Sequence, residues 1–195
     1  MKLILIRHFV AEGNLRHAYI GRTDDPLADC PENERLKKKE YPQAEVLVAS
    51  PLLRCRQTAE WIYHRKPDII AEELREMDFG EFENKNYEEL KDDPRYRAWL
   101  ELEGEGITPG GENQADFICR TRRGFRKLLE QLLEERVDSA AVVAHGGTIM
   151  AVLSDLTGKE DSYYDWQAEN GGAYLLEIDP ERWKMEGRLT ELRKL

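Results

Sequence analysis

Three short apolar runs set the terms on which this chain can fold. Residues 2–7 read KLILIR, 45–49 read EVLVA and 140–144 read AAVVA. Each is nearly continuous rather than alternating, the pattern of a strand buried on both faces. Between them lie segments of helical character. Ser50 and Pro51 stand where an N-cap and a first helical residue would stand, and LLRCRQTAEWIYHR continues as a helix. Phe117, Thr121, Phe125, Leu128, Leu129, Leu132 and Leu133 recur at helical spacing, predicting one amphipathic helix from about Glu112 to Arg136. Thr148 to Leu156 reads as another helix after Gly146 and Gly147. Residues 173–178 and 183–189 alternate well enough for two closing strands, with Asp179 and Pro180 turning between them. Strands alternating with helices imply an α/β fold whose sheet is mostly parallel and covered on both sides.

The 195 residues suffice for one ordinary domain with a sizeable core, and no composition shift or Pro/Gly/Ser-rich stretch marks a linker. Residues 1–195 are therefore read as one domain. No apolar run approaches the roughly 20 residues of a membrane-spanning helix. The run Leu3 to Ile6 is too short for a signal peptide and is followed at once by Arg7 and His8, so a cytoplasmic setting without membrane contact is expected. Cys30, Cys55 and Cys119 are widely spaced, form no C-x-x-C pair and read as reduced thiols rather than a disulfide framework or a zinc site. A net charge of −10 counts against a nucleic-acid partner. It also requires that any anionic substrate be drawn by a local positive pocket inside a repelling global field.

In open α/β sheets, ligands gather beyond the carboxyl ends of the strands. Three such ends carry residues of interest: Arg7-His8 after the first, Ser50 to Arg54 after the second and His145 after the third. Two guanidinium groups make a bidentate clamp for a phosphoryl group, and a neutral imidazole is an effective covalent nucleophile. A carboxylic acid of raised pKa can protonate a leaving alkoxide. Taken singly, each of these residues is as readily structural. His17 and His64 have no such setting and read as rim residues.

The order of motifs resembles the histidine phosphatase superfamily, in its branch of cofactor-dependent phosphoglycerate mutases and related phosphatases. The blocks are LIRHFVAEGN (5–14), YIGRTDDPL (19–27), VASPLLRCRQTAE (48–60), LREMDFGEFE (74–83), PGGEN (109–113) and VVAHGGTIMAVL (142–153). The resemblance implies a phosphoglycerate mutase-like three-layer α/β/α sandwich. It implies His8 as a nucleophile that forms a phosphohistidine, and Glu76 as proton donor with Asp78 as runner-up. Arg7, Arg54 and His145 would form the phosphate pocket, with Asn14, Gly21 and Gly146 among the phosphate-binding positions. The expected partner is a small-molecule phosphate monoester. No cofactor and no metal are expected, because the Arg and His groups supply the positive charge. A homodimer is left open.

The sequence departs from the family pattern at Phe9, where a glycine is usual, at Val10 and Ala11, which replace Glu-Thr, and at Asn84, another usual glycine. The chain is short, and its stretch between Gly80 and Pro109 is compact, which favours hydrolysis over the mutase reaction. The pairing of LREMDFGEFENKNYEEL with TPGGEN most resembles the alpha-ribazole phosphatase group, which removes a 5′-phosphate during cobalamin nucleotide-loop synthesis. The alternatives are a broad-specificity or sugar phosphatase, a phosphoglycerate mutase, or a catalytically degenerate phosphate-ester binding protein. Tyr87, Tyr96 and Trp99 are candidates to stack on a ring, though at near-helical spacing such residues more often serve packing.

Overall fold

The computed structural model describes residues 1–102, 104–158, 160–187 and 189–195, and only the backbone of residues 160–162. Six strands form one sheet: β1 (Lys2–Arg7), β2 (Val46–Ala49), β3 (Ile69–Ile70), β4 (Ser139–Ala144), β5 (Ala173–Glu177) and β6 (Glu191–Lys194). Their order is β3-β2-β4-β1-β5-β6. The pairs β1–β4, β2–β4 and β2–β3 are parallel, whereas β5 and β6 add antiparallel to the edge beside β1.

The continuous apolar runs are explained by burial on both faces. On β1, Leu3 and Leu5 pack into a core with Phe125, Leu128 and Leu132 of the helix Gln114–Glu134 and with Ile149 and Val152 of the helix Gly146–Leu156. Ile4 and Ile6 point to the opposite face, where they meet Leu47, Val143 and the Cys55–Ala59 side of the helix Leu53–Tyr63. Period-two alternation thus feeds two cores from one strand, and helices sandwich the sheet.

Two readings from the sequence need correction. Residues 183–189 do not form a strand, position 188 lying outside the described residues. Pro180–Glu186 is a helix, and the closing strand is β6 further on. Asp179 is its N-cap, accepting the N–H of Arg182 at 2.8 Å, with Pro180 at the first helical position. Conversely, Ser50 and Pro51 do not open the helix that follows them. That helix begins at Leu53 with Leu52 as N-cap, because the Ser50 hydroxyl is bonded to His145. The short strand β3 was not anticipated, two residues being too few for a pattern.

The family departures are absorbed structurally. Phe9 is fully buried and packs with Leu27 and Leu36, its ring 6.1 Å from that of Trp61 and 6.4 Å from that of Tyr41. Asn84 has φ of 62°, a left-handed conformation that asparagine tolerates better than most non-glycine residues. Among the described residues, no helix is long and apolar enough to cross a membrane.

Candidate active site

Sheet register assembles the site. Arg7 of β1 pairs with Ala144 of β4, and the next backbone bond, from His8 N–H to the carbonyl of Ala144 at 2.9 Å, extends the ladder past the strand end. The two histidine rings, His8 and His145, consequently stand with centroids 5.3 Å apart. On the other side of β4, Ser50 N–H donates to the carbonyl of Val143 at 2.9 Å. This brings the Ser50 hydroxyl into a 2.7 Å hydrogen bond with Nε2 of His145. Three neighbouring strand ends, far apart in sequence, thus meet at one edge.

The tautomer of His8 follows from its partner. Nδ1 lies 2.6 Å from the carbonyl of Phe9, and a carbonyl only accepts, so Nδ1 carries the proton. In the neutral ring Nε2 then holds a free lone pair. Neutrality is favoured because burial, then the cationic Arg54 and Arg7, hold the imidazole well below its ordinary value of 6.5. His145 is lowered in the same way, first by burial and then by Arg54.

Both guanidinium groups are anchored and incompletely satisfied. Arg54, on the helix Leu53–Tyr63, is 1 % exposed and donates to the carbonyls of Ile20, Gly21 and Thr23 at 3.3, 2.9 and 2.7 Å. Arg7 donates to the carbonyl of Ala168 at 2.7 Å. The Nε atoms of both are buried without a partner among the described residues. A buried cationic donor left unpaired is costly, and an anion with several acceptor oxygens would relieve that cost. Asn14 uses its Oδ1 on the N–H of Ala11, which leaves its amide N–H₂ as a further donor.

Glu76 brings a carboxyl group to the same cavity. Its Oε1 accepts the N–H of Met77 at 3.1 Å and its Oε2 that of Gly147 at 3.0 Å, at the start of the helix Gly146–Leu156. Burial pushes the carboxyl above the ordinary carboxylate value of 4.5; those two N–H groups and the two arginines only partly oppose it. A cavity of about 250 Å³ is lined by Arg7, His8, Asn14, Glu76, Gly146 and Gly147, among others.

Of the residues expected at the site, Arg54, His145 and Gly21 do not line this cavity. The first two are buried; the Arg54 charge acts on His8 and His145, and the His145 ring stands beside that of His8. Gly21 gives its carbonyl to Arg54 and its N–H to Glu83, so it holds the clamp in place. Asp78 is turned away: its carboxylate accepts from Gly80 N–H and pairs with Arg22. His17 and His64 are exposed. Cys30 and Cys55 are buried and Cys119 exposed, all free, and burial pushes the Cys55 thiol up to about 12. Among the described residues, no group of three His, Cys, Asp or Glu is placed to hold a metal ion. Tyr96 packs against Phe82 and Leu90, and Tyr87 is exposed.

Glu83 is the residue that sequence reasoning missed. Its carboxylate accepts N–H donors from Gly21, Arg22, Thr23 and Phe79 and the Thr23 hydroxyl, the last at 2.6 Å. One side chain therefore ties the loop that offers its carbonyls to Arg54 to the segment that follows Glu76. Its place at the end of LREMDFGEFE was the only hint.

A model of the histidine phosphatase superfamily (branch 1) matches residues 3–189. An uncharacterized phosphatase of Bacillus subtilis (strain 168), PhoE, is 27% identical over 93% of this chain and 91% of its own length. A 2,3-bisphosphoglycerate-dependent phosphoglycerate mutase of Gloeobacter violaceus is 32% identical over 79% of this chain and 74% of its own. The crystal structure of the alpha-ribazole phosphatase from Shigella flexneri superposes with a TM-score of 0.84 at 25% identity, covering 100% of this chain and 96% of that one.

Proposed function

Because the chain belongs to branch 1 of the histidine phosphatase superfamily, and is a phosphatase of that type, we propose that it hydrolyses phosphate monoesters through a phosphohistidine on His8. The observation that carries this reading is the neutral His8 ring, its Nδ1–H held by the Phe9 carbonyl, next to two buried guanidinium groups with unpartnered Nε–H donors. In the first step Nε2 attacks phosphorus, the P–N bond forms and the ester P–O bond breaks. The proton of Glu76 passes to the leaving oxygen. Arg7 and Arg54 stabilise charge on the equatorial oxygens, and Asn14 and the N-terminal turn at Gly146 add neutral donors. In the second step water attacks the phosphohistidine, Glu76 takes its proton, the P–N bond breaks and inorganic phosphate leaves.

For the substrate, our reading is alpha-ribazole 5′-phosphate, hydrolysed during cobalamin nucleotide-loop synthesis. Its support is the whole-length similarity to the Shigella flexneri alpha-ribazole phosphatase and the resemblance of residues 74–90 and 108–113 to that group.

The test is phosphate release from alpha-ribazole 5′-phosphate, 3-phosphoglycerate, sugar phosphates and an aryl phosphate, with acid-quench trapping of the enzyme. An acid-labile phosphoryl group on His8, with turnover lost in His8→Ala and in Arg54→Ala, is the expected result. Full turnover by folded His8→Ala would overturn the mechanism. Preference for another ester would overturn the substrate and leave the mechanism standing. Binding of phosphate esters without turnover would instead identify a degenerate member of the fold.

A further inference from the structure

A second cavity, of about 410 Å³, adjoins the phosphate cavity and shares with it Tyr19, Glu76, Phe79, Gly147 and Met150. Its volume lies within the roughly 300–1,000 Å³ of pockets that hold whole organic ligands. Glu76, the proposed donor to the leaving oxygen, stands on the wall common to both. An ester whose phosphorus faces His8 therefore directs its alcohol half past Glu76 into this second space.

The chemistry of that space is one-sided. Beyond the shared wall it is bounded by Trp99, Leu100, Gln114, Phe117, Tyr163 and Tyr164. Among the described lining residues Glu76 is the sole charged side chain. Two guanidinium groups lie outside this lining and are paired: Arg120, stacked behind Phe117, with Glu112 at 2.8 Å, and Arg22 with Asp78 at 3.4 Å. The walls are aromatic edges and faces: Tyr19 lies 5.2 Å from Phe79 and 5.6 Å from Trp99, and Tyr163 meets Tyr164 at 4.9 Å and 88°. A carboxylate or second phosphate placed here would lose its hydration without gaining a cation, close to a carboxyl group. A flat uncharged ring would lose little and gain aromatic contact on several sides.

Resting on the phosphatase reading above, we propose that this enzyme selects phosphomonoesters of uncharged, ring-bearing alcohols and discriminates against phosphorylated hydroxy acids. Selection comes from the wall formed by Trp99, Phe117, Tyr163 and Tyr164, whereas the phosphate end of the cleft is indifferent to the alcohol.

Three alkyl esters of similar leaving-group chemistry test this: 2-phenylethyl phosphate, glycerol 3-phosphate and 3-phosphoglycerate. The expected kcat/KM is highest for the ring ester and lowest for the carboxylate, with about a hundredfold or more between these two. Leu100→Arg, at a wall position that is 41 % exposed and so tolerant of change, places a cation at the rim. It is expected to narrow the ratio of the two kcat/KM values roughly tenfold, as a charge pair within the cleft would. Gln114→Trp narrows the same space and is expected to raise KM for the ring ester more than for glycerol 3-phosphate. Turnover of 3-phosphoglycerate equal to or better than that of the ring ester, with a phosphohistidine trapped, overturns the selectivity and leaves the phosphatase reading intact. Absence of any phosphohistidine with every ester removes the premise, and the inference with it.

Discussion

A β-carbon built on Gly147 would lie 2.5 Å from Oε1 of Glu76, so the carboxyl group occupies space that only glycine leaves free. The same glycine donates its N–H to Oε2. Gly147→Ala should push the carboxyl off its position while leaving the helix that follows in place. The expected loss in kcat on an alkyl ester is about a hundredfold, at the low end of what a proton-transfer catalyst contributes. On an aryl phosphate, whose leaving group needs no proton, the loss should be several times smaller. Equal losses on both esters would mean that Gly147 serves the fold rather than the acid.

The pH dependence follows from two opposed shifts. In the proposed mechanism His8 attacks only when neutral, and its value is lowered well below 6.5, so activity should rise as pH climbs through that lowered value. Glu76 must begin protonated, and its value is raised above 4.5, so activity should fall as pH climbs through that raised value. The profile of kcat/KM is thus a bell bounded by the lowered His8 value and the raised Glu76 value, and the two shifts together enlarge the fraction of enzyme with neutral His8 and protonated Glu76. Glu76→Gln should flatten the falling limb and lower kcat by about 10²–10⁴. A falling limb that persists in Glu76→Gln would assign it to another group.

Glu83 holds Arg54 at one remove. Replacing it with alanine strands the N–H groups of Gly21, Arg22, Thr23 and Phe79 and frees the loop whose carbonyls fix the guanidinium. Glu83→Ala should lower stability by about 1–3 kcal/mol and raise KM for phosphate esters more than it lowers kcat. Glu83→Gln, which keeps one acceptor oxygen, should recover part of both effects. Denaturant titration and steady-state kinetics on the two variants check this together.

Restoring the glycine usual in the family at position 9 should not improve the enzyme. Phe9 fills a core between Leu27, Leu36, Tyr41 and Trp61, and Phe9→Gly should cost about 3–5 kcal/mol, as emptying a buried aromatic site does. A rise in turnover without loss of stability would contradict the packing role assigned to this ring.

What the sequence disclosed depended on whether the signal was local. The runs around Leu3–Ile6 and Ala140–Ala144 announced buried strands because burial on both faces leaves no polar position to alternate. Ser50-Pro51 and Asp179-Pro180 carry the same helix-opening signature; it was followed at the first, where the helix opens later, and passed over for a turn at the second, where it holds. The Ser50 hydroxyl is spent on His145 and the helix starts later. Asp179, with no such claim on it, caps a helix where a turn was expected. His8, Arg7, Asn14 and Glu76 were legible through the motif and do reach the cavity. Glu83 was not, because its work is done on backbone groups some sixty residues away, and neither spacing nor composition records that pairing.

The adjacency of β1 and β4 also bears on how activity arises in time. Arg7 and Ala144 lie far apart in the sequence, yet their pairing sets His8 beside His145. Helices such as Gln114–Glu134 form from neighbours in the chain, but this pairing must close a loop that spans most of it, the slowest kind of contact to make. The meeting of His8 and His145 therefore belongs with the slow, long-range steps of refolding. A nascent chain released before β4 has emerged holds His8 without His145 beside it.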